Sequence, residues 1–114
     1  MEVRDKLVEF LARVYRVFYA KEGRKIRRKN VLDVFQHRLK VASLAPTFPK
    51  FVERLAYGLG LQSISVDQEL ADFLMKNEEE VIRMAREESV LLTVLAYNRA
   101  KSMRGGGSSE DAQG

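Results

Sequence analysis

Apolar residues recur through residues 3–20 at helical intervals: Val3, Leu7, Leu11, Val14 and Phe18 are four, four, three and four positions apart. Phe10, Tyr15 and Val17 widen the stripe, while Lys6, Glu9, Arg13 and Arg16 line the other side. That spacing keeps the apolar side chains on one face and predicts an amphipathic helix. Gly23 should end it, because glycine is poor inside a helix and favoured at its C-terminal end. Leu32, Phe35, Leu39 and Ala42 then predict the inner face of a second helix. The expected start is Asn30, whose side chain can cap the helix, with Asp33 in the first turn. Pro46 and Pro49 in "LAPTFP" stop it by Leu44, since proline lacks a backbone donor and disfavours helical angles in the residue before it.

Thr47 or Phe48 is placed to cap a third helix carrying Phe48, Phe51, Val52, Leu55 and Leu59, with Pro49 tolerated in its first turn. Gly60 in "GLGLQS" is its expected left-handed cap. Ser65 and Gln68 match a capping box that would open a short helix bearing Val66, Leu70, Phe73 and Leu74. Asn77 and Glu80 repeat the pattern before a last and longest helix over 78–103, with three glutamates at its positive end. From Val90 to Tyr97 that helix is apolar almost all round, so it should be covered on most sides by the bundle or by a partner chain. No strand alternation or long-period repeat interrupts the pattern. The prediction is an all-α fold: a compact bundle of about five helices in one domain over 1–104, followed by a flexible Gly/Ser-rich tail over 105–114.

Composition narrows the chemistry. With 46% apolar and 32% charged residues in 114, the chain belongs with folded proteins. It has no cysteine, which removes disulfides, thiolate metal sites and cysteine nucleophiles. A zinc site around the single histidine, His37, would need carboxylates for most other ligands, and none are spaced for it. No apolar run is long enough to span a bilayer, and "MEVRDKLVEF" lacks the apolar core of a signal peptide, so the expectation is a cytoplasmic protein without a membrane partner.

Charge adds the functional clue. The net +4 divides into +8 over residues 1–57 (14 Lys/Arg, 6 Asp/Glu) and −4 over 58–114 (6 Lys/Arg, 10 Asp/Glu). Such a chain suits a basic face for nucleic acid, an acidic face for another protein, or contact between copies. "KEGRKIRRKN" places six cations, Lys21, Arg24, Lys25, Arg27, Arg28 and Lys29, within nine positions beside one acid. Extended by Arg38 and Lys40, the run is the candidate nucleic-acid-binding set; the plainer alternative is a solvated connection. Five of these side chains on duplex phosphates would give a salt slope of about −4.5, a few hundredfold between roughly 50 and 200 mM.

Nothing predicts sequence readout: RNP aromatics, a GXXG clamp and finger ligands are all missing. Tyr15, Tyr19 and Tyr57 are candidates for base stacking, although tyrosines at helical spacing also serve as packing. His37 reads as a surface or boundary residue, and Glu78 to Glu80, Glu87 and Glu88 as helix-start and solvent-face charges. The expectation is therefore a non-catalytic protein with no metal and no cofactor.

The segment "FPKFVERLAYGLG" (48–60), the short helix after it and the long apolar last helix resemble the small subunit of archaeal type I-A CRISPR interference complexes. The resemblance covers about half the chain and leaves out the basic run. It implies a non-catalytic component that lines up in several copies beside other subunits and contacts target or displaced DNA through backbone charge, leaving sequence reading to guide pairing. The competing expectation is a helical adaptor or oligomerisation module with Val90 to Tyr97 as its interface.

Overall fold

The structure, a computed structural model, describes residues 2–104; the side chains of Arg28 and Arg104 and the predicted tail over 105–114 lie outside that description. Among the described residues there are six α-helices and no strand: α1 (Val3–Lys21), α2 (Arg28–Ala42), α3 (Phe48–Gly58), α4 (Gln68–Lys76), α5 (Glu78–Glu87) and α6 (Ser89–Arg104). A 3₁₀ turn, Gly23–Lys25, lies between α1 and α2.

The stripe on α1 organises the core. Leu7, Phe10, Leu11, Val14 and Phe18 are buried, and Ala12 and Tyr15 extend the buried surface around the helix. With so wide an inner face α1 packs against α4, α5 and α6. It runs parallel to α6: Arg4 pairs with Glu88 at one end (2.7 Å), and Tyr15 meets Tyr97 edge-on further along (5.7 Å between centroids). Ala12, Ala96 and Ala100 are buried, and their small side chains suit the close contact of α1 with α6. Phe35 of α2 joins this cluster through Tyr15 (5.5 Å) and Phe18 (6.2 Å), and Phe48 of α3 through Phe10 (5.8 Å).

Several helix boundaries depart from the sequence expectation, each for a visible reason. α2 begins at Arg28, two residues before the expected cap Asn30, and its N-cap is Arg27 without a side-chain bond. Val31 is fully buried, and its amide bonds the Arg27 carbonyl (3.0 Å). Seating Val31 on the Phe35 face requires helical backbone from Arg28 onward. α4 opens at Gln68 rather than at the Ser65 capping box: the Asp67 carboxylate, two residues further on, accepts the Leu70 amide (3.2 Å) and caps the helix there. Replacing it, Asp67→Ala, is expected to lower stability by about 1 kcal/mol in chemical denaturation.

Asn77 stands at the N-cap position of α5, but its side-chain amide turns back to the Phe73 carbonyl (2.8 Å) and closes α4 instead. Glu78 crosses to α3, where its carboxylate accepts the Phe48 amide (2.7 Å). The α3 start follows expectation, with Thr47 accepting from Lys50 N–H (3.3 Å). Its end is a Schellman turn, in which Leu61 N–H reaches Ala56 O (2.8 Å), Gly60 N–H reaches Tyr57 O (3.1 Å), and Gly60 has φ +75°.

The long last helix is divided. Glu88, at φ −123° and ψ 34°, separates α5 from α6. An unbroken helix over 78–103 would extend about 39 Å, as long as the molecule's greatest dimension of 38 Å. The break lets α5 pack on α2 and α3 while α6 lies along α1 and α2.

Candidate nucleic-acid interface

The basic run forms the connection from α1 to α2, and its members have different fates. Lys21 ends α1 and donates to the Gly60 carbonyl (2.9 Å), fastening the connection to the end of α3. Lys25 lies 3.6 Å from Glu22, the one acid in the run. Arg24, Arg27 and Lys29 are exposed and pair with no carboxylate among the described residues. Arg28 occupies the first turn of α2, where the backbone is described and the side chain is not.

That first turn is locally unfavourable. Arg28 and Lys29 stand at the positive end of the helix, with neither a capping side chain nor an acid to offset them. The unpaired N–H groups there and the cations around them are arranged alike to favour an anion.

Arg38 and Lys40 are both exposed on α2 but diverge. Two positions apart on a helix, they point roughly 160° away from each other. Lys40 shares its flank with Lys29, eleven residues earlier and three turns away. Arg38 faces α3, and its aliphatic stem lies across Gly58; a Cβ on Gly58 would sit 2.9 Å from the Arg38 Cδ, so glycine makes this approach possible.

Arg38 thereby enters an open groove of about 710 Å³ between α2 and α3, lined also by Val41, Lys50, Arg54, Tyr57 and Leu61. Lys50 is held by Glu53 at 3.3 Å. Arg38 and Arg54 have no carboxylate partner among the described residues. Lys50 and Arg54 were not in the sequence-derived set, and Tyr57 was there only as a candidate for base stacking. Their spacing of four and three places them on one stripe of α3, away from buried Phe51 and Leu55, and that signal was present in the sequence.

The three candidate stacking tyrosines also separate. Tyr15 is buried among Tyr19, Phe35 and Tyr97. Tyr19 is half-buried against Tyr15, so both belong to the packing. Tyr57 is 87% exposed.

His37 is exposed on α2, and among the described residues no group of three or more His, Asp or Glu is placed to hold a metal ion. Exposed acids gather elsewhere, at Glu69 and Asp72 on α4 and at Glu79, Glu80 and Glu87 on α5. No described helix is long and apolar enough to cross a membrane.

Fold and charge together define an all-α protein with a basic connection fastened beside a cationic, aromatic-bearing groove. No family model matches the sequence, and no curated protein or solved structure was found similar to it.

Proposed function

We propose that the chain is a non-catalytic nucleic-acid-binding subunit that contacts the sugar-phosphate backbone without reading sequence. The observation that carries this reading is the group of exposed cations without carboxylate partners, Arg24 and Arg27 on the connection and Lys29 in the first turn of α2, beside Lys21, which bonds the chain just after α3. Cations without a carboxylate partner also occur elsewhere among the described residues, so what sets this run apart is density: six cations in nine positions stand beside one acid, Glu22, which Lys25 approaches at 3.6 Å. Leaving the basic run so nearly without acids sacrifices local stability at the α2 start, the kind of exception that accompanies binding surfaces.

The specific form of the proposal is the small subunit of a CRISPR interference complex, bound to target or displaced DNA, with other subunits and copies of itself as neighbours. It draws on the resemblance of residues 48–60 and the helices after them. The test is a titration of the purified chain against labelled single- and double-stranded DNA and RNA at several salt concentrations. Sequence-indifferent binding that weakens steeply with salt is expected; no binding at low salt would remove the reading.

One observation favours a second reading, the adaptor or oligomerisation module. α6 buries Leu92, Thr93 and Ala96, while Val90, Leu91 and Val94 face outward. Val90 is 59% exposed, and the three form an apolar strip about one turn long. Under this reading, Val90→Ser with Val94→Ser would lower the mass measured by light scattering and leave nucleic-acid binding unchanged.

A further inference from the structure

We propose that the groove between α2 and α3 is a pocket for an unpaired nucleobase, stacked on Tyr57, with the guanidinium groups of Arg38 and Arg54 on the neighbouring phosphates. This rests on the nucleic-acid reading above and deepens it by naming single strands as the ligand class.

Tyr57 is the most exposed large hydrophobic side chain among the described residues, yet it lies on a structured helix and lines a groove rather than a convex surface. Its ring makes no aromatic contact with another described residue, unlike Tyr15, Tyr19 and Tyr97. The backbone beneath it is fixed by the Schellman turn, since the Tyr57 carbonyl accepts from Gly60 N–H (3.1 Å). An exposed aromatic face carried on a fixed backbone is a stacking platform that accepts any base.

The rest of the groove matches a nucleotide in polarity. Val41 and Leu61 supply apolar lining beside the ring, and Arg38 and Arg54 supply planar donors suited to phosphate oxygens. The only acid lining the groove, Glu53, is already paired with Lys50. Gly58 sets the Arg38 stem against α3, so one end of that side chain is positioned before any ligand arrives. A base can reach the ring only when its face is free, and a duplex exposes base faces only at its ends. The pocket therefore selects single strands.

The test is a cycle between protein and oligonucleotide. Fluorescence anisotropy compares a labelled oligothymidylate with the same strand carrying abasic sites, and with its duplex, for the wild type, Tyr57→Ala, Tyr57→Phe and the double variant Arg38→Gln/Arg54→Gln. The wild type should bind the abasic strand about tenfold more weakly than the intact one. Tyr57→Ala should show that loss on the intact strand and no further loss on the abasic one, while Tyr57→Phe stays near wild type. The salt slope should be unchanged in both Tyr57 variants and shallower by about 1.4 in the arginine variant, about 0.7 for each phosphate released.

Tyr57 is almost wholly exposed, and circular dichroism checks that the variants remain folded. Equal binding of intact and abasic strands, or salt-steep binding unaffected by Tyr57→Ala, would overturn the pocket and leave the backbone-binding reading standing. Absence of binding to any of the nucleic acids at low salt would overturn both.

Discussion

Replacing Arg24, Arg27, Lys29, Arg38 and Arg54 with glutamine is expected to remove nearly all nucleic-acid affinity while leaving the fold intact. Five contacts to a single strand give a salt slope of about −3.5, so wild-type affinity should fall on the order of a hundredfold between roughly 50 and 200 mM salt. The variant should bind far more weakly, with a slope shallower by about 3.5. All five positions are exposed and lack carboxylate partners among the described residues, so removing their charges breaks no described ion pair. Glutamine is chosen because the Arg38 stem packs on Gly58, and truncation to alanine would mix lost packing with lost charge. A control, Lys76→Gln with Arg86→Gln and Arg99→Gln, alters net charge on α4, α5 and α6 instead. Binding by that control should stay close to wild type, since the effect depends on where the charges sit.

A large stability effect is expected at Phe35. Its side chain is fully buried and touches the rings of Tyr15 on its edge and Phe18 at a tilt, so it joins α2 to α1. Phe35→Ala removes most of a ring from a close-packed interior and leaves a cavity, a loss of about 3–5 kcal/mol. Against a typical total of roughly 5–15 kcal/mol that is a large fraction, and it should lower Tm by on the order of 15 °C. Urea denaturation of Phe35→Ala beside Leu44→Ala checks it: Leu44 is 70% exposed in the turn after α2, and its loss should change stability little.

Much of the architecture was legible because its cause is local. The Val3-to-Phe18 stripe, the prolines that stop α2, the Thr47 cap and the left-handed Gly60 each depend on residues close together in sequence. The division of the last helix was left open by the sequence: "REESVLLTV" contains neither glycine nor proline, so whether it continues past Glu87 and Glu88 is not decided locally. The break at Glu88 reflects α5 and α6 packing on different neighbours and Arg4 bonding the Glu88 carboxylate from the start of α1. Asn77 and Glu78 are similar cases: the sequence assigns the first as a cap and the second as a first-turn charge to the helix that begins there, and the fold turns one to the end of α4 and the other to the start of α3.

The site shows the same division. The density of cations over 21–29 was plain, but their separate roles were not. Lys21 is drawn to a carbonyl 39 residues away, and Arg38 and Lys40 part company because two positions on a helix point in opposing directions. Tyr57 was named from sequence as one of three stacking candidates, but Arg54 becomes relevant only when α3 is laid beside α2. Their joint exposure beside Lys50 was readable from spacing, but which surface they would face depended on packing.

Mapping by NMR would decide whether the α1–α2 connection and the α2–α3 groove form one nucleic-acid surface. Backbone amide resonances of the labelled chain would be followed by NMR during addition of a single-stranded oligothymidylate at low salt. Shifts should concentrate at residues 21–30, around Arg38, and from Arg54 to Gln62, with α5 and the outer face of α6 unmoved. No shifts, or shifts centred on Val90 to Val94, would contradict that surface.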